Sequence, residues 1–221
     1  MSILTARQLV KSYSRGGKAF DAVRDASLSV EAGTLTAVIG RSGSGKSTLL
    51  NLLAGFIAPT AGSVLFDGAD IAGFSPRQTN VFRRRTVGFV PQGKSLLGNL
   101  TVLDNVRAAA YFAETDDALA LPLLEHLGIG QLAASFPAQL SGGELRRAAI
   151  ARALVKRPAV VFADEPTNDL DAQTAAEVIT FFKDLTRTGT AVVLVTHDKE
   201  ARASADQLYE MQAAVLFSST L

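Results

Sequence analysis

The apolar positions fall into two patterns along the chain. Leu35 to Ile39 is a short apolar run rich in β-branched residues, and Val87 to Val90, Val160 to Asp164 and Ala191 to Thr196 also read as strands. Between them, Leu49, Leu52 and Leu53 recur at helical spacing within Ser47 to Leu53, and Ala175, Val178, Ile179 and Phe182 form one stripe of another helix. His126 sits in a further, leucine-rich helix and reads as packing. Alternation of strands and helices after residue 34 predicts an α/β fold with a mostly parallel core sheet. An antiparallel β subdomain is expected at the N-terminus and an inserted α-helical subdomain from about 101 to 155. No Pro- or Ser-rich linker or repeat divides residues 1–221, so one domain is expected. Its lobes are 1–90 with 158–221 as the core, and about 91–157 as the helical lobe.

What sits between the first strand and its helix changes the picture from architecture to chemistry. Gly40-Arg41-Ser42-Gly43-Ser44-Gly45-Lys46-Ser47-Thr48 places glycines where the backbone must turn tightly and aim N–H groups at anionic oxygens. The helix N-terminus adds partial positive charge. Lys46 then reaches the β- and γ-phosphates of a nucleotide, and the Ser47 hydroxyl ligates Mg²⁺. The strand ending in Asp164-Glu165-Pro166 delivers two carboxylates to the sheet edge where open α/β folds bind ligands. Strand alternation points them different ways. Asp164 suits the Mg²⁺ shell, and Glu165 suits the general base that deprotonates the water attacking the γ-phosphate.

These residues, with Leu140-Ser141-Gly142-Gly143-Glu144, resemble the ATP-binding cassette family, the nucleotide-hydrolysing subunits of ABC transporters, over nearly the whole chain and in the family's motif order. The resemblance implies a P-loop NTPase of ABC type. It places Tyr13 where an aromatic ring stacks on adenine, and Gln92 in the loop whose glutamine contacts Mg²⁺ and reports nucleotide state to a membrane partner. It makes Ser141, Gly142, Gly143 and Glu144 the signature that grips a partner chain's ATP, and His197 the switch histidine near the γ-phosphate. Asn168-Asp169-Leu170-Asp171 matches the D-loop, although Asp171 also suits the N-cap of the following helix. A second phosphate grip in a chain whose first grip is complete implies a head-to-tail homodimer with two ATP molecules between the copies. Closure would then depend on the γ-phosphate, and hydrolysis would open it.

The phrasing of Pro76-Arg77-Gln78, Arg84 to Gln92 and Leu100 to Val106 resembles the macrolide-exporter and lipoprotein-releasing class. Members of that class pair with separate membrane permeases that export or extract amphiphiles such as lipoproteins, antibiotics, peptides or haem. Residues 93–100 are expected to line a groove for the permease. A cell-division type of cassette that drives a membrane regulator shares every motif. A P-loop kinase is disfavoured by Ser141 to Glu144 and by Glu165. Departures from the family pattern are Pro91, Glu144, Arg146, Asp169 and the lack of an Asp-Gly turn in the tail after Gln207.

Composition narrows the partners. No apolar run approaches the ~20 residues that span a bilayer, so the chain is expected at the cytoplasmic face of the membrane, attached through the permease. With no cysteine, disulfides and cysteine-ligated metals are excluded. The balance of 22 basic and 21 acidic residues offers no global field for nucleic acid. Arg83-Arg84-Arg85 with Arg77 is the one dense basic cluster, read as a solvated helix face or as a site near anionic headgroups.

Overall fold

The computed structural model describes residues 2–93, 95–168 and 170–219. The chain opens with β1 (Ser2–Arg15) and β2 (Lys18–Glu31), an antiparallel hairpin closed by Gly16 and Gly17. Both glycines are left-handed, at φ 58° and 76°, as a two-residue hairpin turn between twisted strands requires. Next come β3 (Leu35–Ile39), α1 (Lys46–Leu53), β4 (Ala61–Phe66), β5 (Ala69–Asp70) and α2 (Pro76–Val81). After a π-type turn over Phe82–Thr86, β6 (Val87–Val90) returns to the sheet. The helices α3 (Val102–Ala113), α4 (Ala120–His126) and α5 (Gly142–Leu154) then form a separate lobe. The chain re-enters the sheet through β7 (Val160–Asp164), α6 (Ala172–Thr186), β8 (Ala191–Thr196), α7 (Lys199–Ser204), β9 (Gln207–Gln212) and β10 (Val215–Ser219).

The ten strands run in the order β5-β4-β1-β2-β10-β9-β3-β8-β7-β6. From β9 through β3, β8 and β7 to β6 the pairing is parallel, whereas β1, β2, β4 and β5 pair antiparallel. The two halves meet where Val215 pairs with Arg24. β7 and β8 are buried along their whole length, which explains why they read as unbroken apolar runs rather than as alternation.

Alternate residues of those strands feed two cores. Val161, Ala163, Val192 and Leu194 join Phe182 of α6 and the lobe residues Val102, Val106, Leu124 and Ile150. Val160, Phe162, Val193 and Val195 face the other way, onto Leu49, Leu52 and Leu53 of α1 and the inner face of the antiparallel hairpin. The sheet is thus sandwiched, and at its C-terminal edge β3, β7 and β8 release the loops that hold the candidate site residues. His126 packs at a tilt against Phe181, with ring centroids 5.7 Å apart.

Candidate nucleotide site

β3 ends at Ile39 and the chain turns through residues 40–45 into α1. Gly45 is the N-cap at φ 107° and supplies no side-chain cap, so the first N–H groups of α1 have no side-chain acceptor at that position. Two glycines are sterically required. A Cβ on Gly40 would run into the Met211 carbonyl and the Ser44 hydroxyl, and one on Gly45 into the Ala22 carbonyl. The loop is therefore clamped between β2 and β9, with Ser44 N–H donating to Arg41 O at 3.2 Å. The Ser44 Oγ is buried and has no hydrogen-bond partner among the described residues, a polar atom directed into a cradle suited to an anion.

Lys46, at the head of α1 and 6% exposed, folds back to donate to the carbonyls of Gly40 at 2.9 Å and Arg41 at 3.1 Å. The adjoining Ser47 hydroxyl donates to Asp164 Oδ1 at 3.1 Å. Burial pushes the Asp164 carboxyl above the usual aspartate range, while the Ser47 hydrogen bond and the charges of Lys46 and Arg146 pull it back.

Strand alternation alone does not separate the two carboxylates. Glu165 leaves β7 in the left-handed region at φ 47°, held there by its N–H donating to Val195 O at 2.8 Å and its carbonyl accepting from Asn168 N–H at 3.2 Å. This turn brings its carboxylate back beside Lys46: Oε1 lies 3.4 Å from Lys46 Nζ, and Oε2 lies 2.9 Å from Nδ1 of His197. A left-handed non-glycine residue costs about 1–2 kcal/mol, a strain that clusters at functional sites. Two adjacent acids thus work in one place, one toward Ser47 and the other toward Lys46 and His197.

Tyr13, Ser42, Gly43, Ser44, Gly45, Lys46, Ser47, Thr48, Gln92 and Glu165 line one open cleft of about 600 Å³. Phe20, Asp21, Ala22, Ala213 and Ala214 also line it. Phe20 pairs with Tyr13 across the hairpin, with ring centroids 6.0 Å apart. Phe20 was within reach of sequence reasoning: counting back from the Gly16-Gly17 turn pairs Arg15 with Lys18 and therefore Tyr13 with Phe20.

Ser141, Gly142, Gly143 and Glu144 are not among the residues lining this cleft. Ser141 is the N-cap of α5 and shares a capping box with Glu144, whose carboxylate accepts from the Ser141 N–H at 2.7 Å and hydroxyl at 2.8 Å. Those two bonds hold the Glu144 carboxyl below the usual glutamate range. A Cβ on Gly143 would press on Thr174 of α6, so this end of α5 is seated on its neighbour while Ser141 remains exposed. Asp171 caps α6 by accepting from Thr174 N–H at 2.9 Å. Asp169 and Lys94 lie outside the described residues.

The arginine cluster is not simply a solvated face. Arg83 donates to the Gly55 carbonyl, and Arg84 and Arg85 each pair with Glu114 at 2.6 Å, tying the π-type turn to the end of α3.

The ABC transporter family profile matches residues 23–168. The chain is 44% identical over 220 residues to the lipoprotein-releasing system ATP-binding protein LolD of Alcanivorax borkumensis, covering 97% of this chain and 96% of that one. It is 38% identical over 223 residues to the pyoverdine export ATP-binding/permease protein PvdT of Pseudomonas fluorescens, covering 99% of this chain but 34% of that protein. Among solved structures, a dimeric post-hydrolysis state of the ATP-binding cassette MJ0796 bound to ADP and Pi superposes with a TM-score of 0.91 at 30% identity, covering 97% of this chain and 98% of that one. The family profile and these full-length likenesses establish that this chain belongs to the ABC transporter family as an ATP-binding, ATP-hydrolysing cassette.

Proposed function

We propose that Glu165 is the general base of ATP hydrolysis, and that two copies of the chain, head to tail, drive a separate membrane permease that extracts or exports an amphiphile. The carrying observation is the Glu165 carboxylate held between Lys46 and His197 at the phosphate loop. Phosphates seated in residues 40–48 give Lys46 stronger acceptors than the Gly40 and Arg41 carbonyls. Glu165 takes a proton from water as the water oxygen bonds to the γ-phosphorus and the bond to the β–γ bridging oxygen breaks. His197 fixes the carboxylate through its Nδ1 contact and lies beside the transferred phosphoryl group. Tyr13 stacks on the base.

Ser47, Asp164 and Gln92 supply the hard oxygen donors that Mg²⁺ favours. Among the described residues no three His, Cys, Asp or Glu side chains gather into a cage, which fits a cation shared with phosphates. When bound, Mg²⁺ neutralises charge on the phosphate oxygens.

Ser141 to Glu144 stand at a helix start outside the cleft of their own chain, where they would reach a second copy's nucleotide. No helix among the described residues is long and apolar enough to cross a membrane, so membrane attachment at the cytoplasmic face would come through the permease. Likeness to the lipoprotein-releasing LolD and the pyoverdine-exporting PvdT supports extraction or export of a cargo such as a lipoprotein, and does not favour the cell-division alternative. Substituting Glu165→Gln is expected to slow phosphate release by about 10²-fold or more and to accumulate an ATP-dependent dimer on size exclusion. Parent-rate hydrolysis in that variant would remove Glu165 from its role.

A further inference from the structure

Three cations on α5 and the turn after it reach across to main-chain carbonyls on either side of Gln92. Arg146 donates to Pro91 O at 2.8 Å, Arg152 to Ser95 O at 2.6 Å, and Lys156, just past the helix, to Arg83 O at 3.1 Å. Their acceptors span the π-type turn, the residue after β6 and the loop beyond Gln92. Arg146 is the best placed of the three: it is 7% exposed, and its acceptor belongs to the residue immediately before Gln92. Pro91 has no N–H, so its carbonyl is the only backbone hydrogen-bonding group it can offer. A charged donor makes that bond stronger than a neutral amide would.

Arg146 also lies five residues into the helix that Ser141 caps, about 7 Å of axial rise from it. We infer that Arg146 is a positioning residue that makes Gln92 travel with the signature serine. Rotation of the helical lobe then changes the entry of Gln92 into the nucleotide cleft and the presentation of Ser141 in one movement. This tie rests on the proposed role of Gln92 at the nucleotide. It gives a function to an arginine that departs from the family pattern.

A double-mutant cycle on the full chain tests it. Arg146→Met is expected to lower kcat about tenfold with ATP affinity nearly unchanged, and Arg146→Lys to recover part of the loss. If Arg146 acts through Gln92, the double variant Arg146→Met/Gln92→Ala turns over no more slowly than Gln92→Ala alone. Amide exchange without nucleotide supplies the second readout: residues 88–93 should lose at least tenfold protection in Arg146→Met while 145–154 keep theirs. Multiplicative losses in the cycle, or parent-like exchange at 88–93, overturn the inference. A lowered Tm with kcat and exchange unchanged marks a merely structural arginine and overturns it as well. If Gln92→Ala alone keeps full kcat, the reading of Gln92 fails instead, and exchange still judges the tie. Should Arg146→Met not fold, Arg146→Gln runs the same cycle.

Discussion

Ala213 and Ala214 turn the hairpin between β9 and β10 with φ of 45° and 71°, a left-handed pair in residues that carry a Cβ. The tail has no Asp-Gly here, yet the same turn forms, because Arg24 N–H donates to Ala214 O at 2.7 Å and Ala214 N–H to Ser44 O at 3.1 Å. The turn is thus held from β2 and from the phosphate loop against its own preference. Relieving it with Ala213→Asn and Ala214→Gly should raise stability by about 1 kcal/mol in chemical denaturation. Lys156 is a second residue set against its surroundings: burial, reinforced by the Arg152 charge, lowers its pKa to about 8. The unfolded chain keeps that proton until about pH 10.4, so unfolding takes up a proton between the two values. The parent should gain stability relative to Lys156→Met as pH rises from 8 to 10, and lose that gain on return to pH 7. Denaturation midpoints at each pH measure it.

Elements buried on both faces were the most legible. β3, β6, β7 and β8 appear where apolar runs predict them, because a strand covered from both sides has no polar positions to interrupt it. The helix that Asp171 caps is equally plain, since its stripe of Ala175, Val178, Ile179 and Phe182 faces one core. Glu165 was a candidate from the sequence, but its left-handed turn was not legible: the residue's N–H is held by Val195 on a different strand, and no local pattern announces it. Arg146 and Pro91 lie far apart in sequence and meet only because the lobe folds back on β6. Among candidate-site residues, the glycine-rich turn between β3 and α1 was legible from spacing, whereas the place of Ala213 and Ala214 in the cleft depends on where the β9–β10 hairpin docks. The capping box makes a sharper expectation for α5. Ser141→Ala removes the cap at a cost of about 1 kcal/mol, and the same change should depress phosphate release at saturating ATP, where lost stability alone would not act.

At the scale of the whole molecule, the proposed head-to-tail pair would give each copy one phosphate grip at residues 40–48 and a second at Ser141–Glu144, which do not line its own cleft. Lys46→Ala and Ser141→Arg should each be inactive alone, for different halves of the same composite site. Mixed, the two should regain part of the hydrolysis, since a heterodimer pairs the intact Lys46 of one copy with the intact Ser141 of the other. Absence of any recovery in a mixture shown to form heterodimers would count against the head-to-tail arrangement. Turnover per chain should also rise with protein concentration, a dependence a self-sufficient monomer lacks.

The place of β3 in the sheet carries a consequence for synthesis. Leu35 pairs with Val192 and Thr36 with Gln207, so the strand that launches the glycine-rich loop is flanked on both sides by segments made long after it. Such distant pairing is slow to close and leaves strand edges bare meanwhile. A nascent chain emerging from the ribosome therefore lacks the frame of its nucleotide site until β8 and β9 are out, and products cut short before them should be unable to hydrolyse ATP.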